Sequence, residues 1–157
     1  MNVSTIIQFD PTEHRWWRKP LVAFKGRSLP AELAILYIEL TEDEKGVWMN
    51  SRGLMSGVVD LIEQSHGSRS THKTCREALP PPVAEALRRM YKVADVKRGC
   101  PDLVIWNLRT HQIRLVEVKN PHWDHPTVEQ KMILKAAETA GVAAKIVEWE
   151  FRAAPPN

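Results

Sequence analysis

The clearest pattern of apolar and polar positions lies between residues 102 and 119. "DLVIW" (102–106) and "IRLVEVK" (113–119) are short runs of apolar, mostly β-branched residues separated by the polar "NLRTHQ". Together they predict an antiparallel hairpin, closed by Asn120-Pro121. "AAKIVEWEF" (143–151) predicts one more strand. Elsewhere the spacing is helical. "SLPAELAILYIEL" begins at Ser28 with Pro30 in its first turn and predicts a largely buried helix. Leu54, Val58, Leu61 and Ile62 recur on one face and predict a second helix from Ser51 to Gln64. Val83, Leu87, Met90 and Tyr91 mark the inner side of a third, with Arg88, Arg89 and Lys92 outside. A fourth opens at Thr127 and runs to Ala140, stopped by Gly141.

The remaining segments lack either period. The first 28 residues, interrupted by Pro11 and Pro20, read as irregular. "HGSRSTHKTCREALPPP" (66–82) is polar and ends on three prolines, which reads as a loop or insertion. No internal repeat is present. Helices, then a hairpin, then a helix and a strand predict a mixed α/β sandwich around a small sheet. A chain of 157 residues suits one such domain, with a frayed tail at 152–157.

Composition narrows the class without naming a chemistry. The apolar share is 43% and the charged share 26%, and no run of about 18 apolar residues exists to span a bilayer. The N-terminal "MNVSTIIQFDPTEHRWW" lacks the features of a signal peptide, and Cys75 and Cys100 form neither a disulfide framework nor a zinc-ribbon spacing. A reducing cytoplasm is the expected setting. Net charge is +3, but the basic residues cluster. One group is "HRWWRKPLVAFKGR" (14–27), and the other runs through Arg69, Arg76, Arg88, Arg89, Lys92, Lys97 and Arg98 into the hairpin. That placement favours a polyanionic partner.

The hairpin itself carries the candidate chemistry. Side chains on a strand alternate, so Glu117 and Lys119 share one face and Val116 and Val118 the other. Asp102 follows the turn-like Gly99-Cys100-Pro101 and opens the neighbouring strand. Two close carboxylates raise each other's pKa unless a cation lies between them. Their hard oxygens suit Mg²⁺, which keeps waters and accepts a phosphate oxygen as a further ligand. Lys119 cannot be a ligand while protonated, but it can help deprotonate a water or neutralise charge growing on phosphorus. The reaction this suits is phosphodiester hydrolysis. On its own, Glu-x-Lys is also the ordinary pattern of an exposed edge-strand face.

The larger pattern adds specificity. "GCPDLVIWN", "RLVEVKNP" and "TVEQ", in that order, resemble the VRR-NUC domain, a branch of the PD-(D/E)xK nuclease superfamily, in the form found in Fanconi-associated nucleases. The resemblance covers roughly residues 41–151, with 1–40 as an N-terminal extension that contributes one helix and 66–98 as a basic insertion. It implies a restriction-endonuclease-like mixed sheet flanked by helices. It also implies that Asp102, Glu117 and the Val118 carbonyl bind the metal, Mg²⁺ or Mn²⁺, that Lys119 is the catalytic lysine, and that Gln130 matches the family's helix glutamine. Thr127 with Gln130 would make a capping box whether or not Gln130 had a catalytic role. The family's upstream acid sits on a helix, and "EKGVWMNSRGL" (44–54) selects Glu44 for it, with Glu32, Glu39 and Asp60 as rivals. Fifty-seven residues (45–101) separate Glu44 from Asp102, an interval that leaves open whether the insertion grips DNA or alters a homodimer contact.

DNA is the implied partner, with Arg88, Arg89, Lys92, Lys97, Arg98, His122 and Trp123 as candidate contacts. His122 and His125 have an H-x-x-H spacing, but in a strand-to-helix loop beside Lys119 they better suit lining the approach of DNA than binding zinc. Trp16 and Trp17 lie among Arg15, Arg18 and Lys19 and suit either stacking on nucleic acid or covering apolar surface. The expected activity is a metal-dependent DNA endonuclease in repair or phage replication, acting on branched DNA. The resemblance also allows a DNA-cleaving toxin domain neutralised by an immunity protein, and the basic patches allow an inactive binding module.

Overall fold

The computed structural model describes residues 6–16, 19–49, 56–63, 72–96 and 100–153. Along the chain run β1 (Ile7–Trp16), β2 (Lys19–Phe24), β3 (Arg27–Leu29), α1 (Ala31–Glu39), β4 (Glu44–Met49), β5 (Ser56–Glu63), β6 (His72–Ala78), α2 (Pro81–Ala94), β7 (Leu103–Asn107), β8 (Ile113–Lys119), α3 (Val128–Thr139) and β9 (Ala143–Phe151). Among the described residues the strands form one sheet in the order β3-β2-β1-β9-β8-β7-β4-β5-β6. β8 pairs parallel with β9 and β9 parallel with β1, while every other pair is antiparallel. The expected mixed sheet flanked by helices is therefore present.

Strand alternation sorts the core into two layers. Leu103, Ile105, Val116, Val118 and Val147 face α1, where they pack with Leu33, Ala34 and Leu36. Val104, Trp106, Ile113 and Leu115 face the other way, onto α2 and α3 through Leu87, Met90, Ile133 and Ala137. A central sheet covered on both faces explains why β7 reads as a continuous apolar run.

The hairpin 102–119, the helix over 83–92, the helix from Thr127 and the strand 143–151 form as expected. Three expectations fail. The first is an irregular N-terminus: β1, β2 and β3 form there, and Ile7–Phe9 pair with Trp149–Phe151. These strands continue the same sheet. Pro11 and Pro20 are tolerated because β1 carries a register irregularity between Pro11 and Arg15 and Pro20 sits near the start of β2.

The second failure is the helix over 51–64, of which 56–63 form β5 instead, while 51–55 and 64 lie outside the described residues. Val58 packs on the α1 face and Val59 on the α2 and α3 face, which is strand alternation. Two adjacent β-branched valines favour that state, and Gly57 is required because a Cβ there would meet the Val47 side chain at 2.4 Å. The third is the loop over 66–82, within which His72–Ala78 forms edge strand β6 before Pro80 and Pro81 start α2. The helix from Ser28 begins late, at Ala31, with Pro30 as N-cap and no side-chain cap.

Candidate active site at the opening of β7 and β8

β7 and β8 are in register from Leu103 opposite Val116, and the ladder ends there because Pro101 has no backbone donor. One step beyond, the Val118 N–H donates to Asp102 Oδ2 at 2.7 Å. The Asp102 carbonyl accepts from the Met49 N–H at 2.8 Å, which ties this residue to β4 as well. A strand residue's N–H and C=O project from the same edge, so the Val118 carbonyl lies on the Asp102 side of β8.

Glu117 and Lys119 share a strand face as expected, but the face is not open. It lies beneath α2 and α3, and Glu117 is 1% exposed and Lys119 6%. Lys119 Nζ donates to Gln130 Oε1 at 3.0 Å and to Asp124 Oδ1 at 3.4 Å. It stands 3.9 Å from Glu117 Oε2, too far for a hydrogen bond. Thr127 and Gln130 form the full capping box of α3, so Gln130 Oε1 accepts both from the Thr127 N–H and from Lys119. Starting the helix and orienting the lysine are the same contact.

The electrostatics would suit a cation. Burial first, and then the charge of Asp102, push Glu117 up to about 9. Burial likewise raises Asp102, opposed by the Val118 N–H and reinforced by the charge of Glu32. Without a further cation Glu117 therefore carries a proton at neutral pH, and its proximity to Lys119 is not an ion pair. Glu117 Oε2 and Glu32 Oε2 are both buried without a hydrogen-bond partner. The Cys100 thiol beside the Tyr91 hydroxyl is held up chiefly by burial, opposed by that hydroxyl and reinforced by Asp102 and Glu117. Orphaned buried carboxylate oxygens fit a hard divalent ion. Among the described residues no three of His, Cys, Asp and Glu gather closely enough to enclose one. The shell would be partial, from Asp102, Glu117 and the Val118 carbonyl, leaving positions for a third acid, water and phosphate.

Glu44 does not join this cluster. It opens β4 opposite Asn107, at the other end of β7 from Asp102, about 17 Å away at about 3.3 Å per residue. Its carboxylate accepts from Arg114 Nε at 2.8 Å and Nη2 at 2.9 Å, and also from Thr41. Arg114 is the main reason its pKa falls to about 2. Of the rivals, Glu39 binds Arg114 and Lys145, and Asp60 binds Arg27. Glu32 is the rival whose charge reaches Asp102. It lies in the first turn of α1 with its side chain 12% exposed, pairs with Lys19 and adds to the field on Asp102. Its signal in the sequence was an acid two residues after the proline that starts the helix.

The candidate DNA contacts spread over two surfaces. Arg88, Arg89 and Lys92 are exposed along α2, with Glu85 3.9 and 3.8 Å from the two arginines. Lys97, Arg98, Trp17 and Arg69 lie outside the described residues, as do the side chains of Trp16 and Arg76. In the turn after Lys119, the His122 ring meets Glu150 at 2.9 Å, and Trp123 is 58% exposed with its ring edge-to-face on Trp149 at 5.7 Å.

The family model for the VRR-NUC domain matches residues 48–149, well over half of the chain. No curated protein matches. Among solved structures, a crystal structure of paFAN1 bound to 2nt 5′ flap DNA with a gap is 21% identical with a TM-score of 0.37, covering 46% of this chain and 14% of that one. A second, with a 1nt flap, is 20% identical with the same TM-score and covers 48% and 14%. The chain thus spans about one seventh of those proteins. On the family match, this chain belongs to the VRR-NUC family of nuclease domains.

Proposed function

We propose that the chain is a divalent-metal-dependent DNA endonuclease. The observation that carries this reading is the meeting of Asp102, Glu117 and Lys119 at one opening of the sheet, with Glu117 buried and lacking a partner for Oε2. Asp102, Glu117 and the Val118 carbonyl would hold Mg²⁺ or Mn²⁺, and Glu32 takes the role expected of Glu44. The bound ion would supply Lewis-acid stabilisation of the phosphate and a more acidic water. Asp102 is fixed by the Val118 N–H, so its second oxygen is oriented before substrate arrives. Gln130 and Asp124 hold Lys119 Nζ, whose proton and charge serve the phosphate oxygen that becomes more negative. Arg88, Arg89, Lys92, Lys97 and Arg98 would contact the DNA backbone, and His122 and Trp123 would line its approach beside Lys119.

The test is cleavage of supercoiled plasmid and of branched DNA with Mg²⁺ or Mn²⁺ and with EDTA. Cutting should stop in EDTA, and Lys119→Ala should slow it by about 10²–10⁴ while circular dichroism shows the fold retained. Undiminished cutting by Lys119→Ala or Asp102→Ala protein would remove the assignment.

A further inference from the structure

The ion pair between Lys19 and Glu32 lies at the candidate site and serves no role in the chemistry described so far. Glu32 is nearly buried, yet only one of its oxygens is satisfied, by the Lys19 ammonium, while Oε2 has no partner. Lys19 also sits over the Trp48 ring, 5.2 Å from its centroid. Trp48 is paired with Leu103, the residue after Asp102, and its neighbour Met49 bonds the Asp102 carbonyl. A chain of contacts therefore leads from the ammonium to the metal carboxylates. Both Lys19 and Glu32 lie outside residues 48–149, the span matched by the family.

In the ion-free protein the Lys19 ammonium engages one oxygen of this nearly buried carboxylate. The same ammonium then opposes the ion, because like charges repel and one oxygen is already engaged. The Lys19 side chain is 37% exposed, so it has a route out to solvent. We propose that Lys19 is a built-in competitor for the divalent ion: it holds Glu32 in the ion-free protein and must give it up when the ion binds. This rests on the metal-dependent reading above, with Glu32 as the third acid.

Mn²⁺ binding to the DNA-free protein, followed by water-proton relaxation or calorimetry, tests the competition without any turnover. Lys19→Met should bind Mn²⁺ about two- to fivefold more tightly than wild type, the range that a partly exposed ion pair supports. Lys19→Arg, which keeps the charge, should stay near wild type. In a Glu32→Gln background, Lys19→Met should change nothing, because the contested carboxylate is gone. Equal or weaker Mn²⁺ binding by folded Lys19→Met protein would overturn the competition alone. Absence of Mn²⁺ binding in both wild type and Lys19→Met would overturn the metal-dependent reading as well.

Discussion

Glu117 shows how one buried side chain can make both stability and activity depend on pH. In the folded protein its pKa is raised to about 9 by burial and by Asp102, whereas in an unfolded chain it is that of an ordinary carboxyl. Between those two values the native state holds a proton that the unfolded state has lost, so metal-free stability falls as pH rises from about 5 to 9. A thermal melt in EDTA should show that decline, and Glu117→Gln should flatten it. The variant should melt at least roughly 2–4 °C above wild type near pH 8.5, which corresponds to about 1 kcal/mol in a chain of this size. A flat wild-type profile in EDTA would contradict the burial argument. Asp102, Glu117 and Lys119 were legible in the sequence because each lies within a few residues of a strand end whose alternation fixes its direction. Glu32 was not, since nothing local to α1 indicates which end of a sheet its first turn will face.

At the scale of elements, the sharpest question is what holds the end of the sheet opposite the site. Glu44, Glu39, Arg114 and Lys145 form a partly buried charge network that joins α1, β4, β8 and β9. Replacing Glu44 by Gln leaves Arg114 with a weaker acceptor, and should cost about 1.5–3 kcal/mol in denaturant unfolding. Mn²⁺ affinity should be unchanged, which a metal ligand could not satisfy. Because Arg114 holds the Glu44 pKa near 2, this contribution is present above about pH 4.5 and is lost as pH falls toward 2. The Thr41–Glu44 contacts close the turn into β4. Hydrophobic spacing located α2, β7, β8, α3 and β9 because each has a single unbroken period. It misassigned β5 because Leu54, Val58, Leu61 and Ile62 match a helical stripe by coincidence, whereas the tight approach of Gly57 to Val47 is a tertiary fact. β1 was missed for a related reason, since its parallel partner β9 lies more than 100 residues away, and β2 and β3 are joined to the sheet only through β1.

For the whole molecule, the proposed DNA surface and the sheet make separate predictions. Arg88, Arg89 and Lys92 follow one exposed side of α2, and each phosphate contact should contribute nearly one unit to the salt dependence of binding. Changing Arg88 and Arg89 to Gln should lower the slope of log affinity against log salt by up to about two for any DNA sequence, as read by fluorescence anisotropy. The join between β1 and β9 has a different consequence. A recombinant piece cut to residues 48–149 would remove the strands that cap the β9 edge and the helix that covers Leu103, Ile105 and Val116. Such a piece would present a bare strand and a wide oily face to every other copy, and it should pellet or bind dye rather than elute as a monomer. On that expectation, the span matched by the family is smaller than the portion that can stand alone in a test tube.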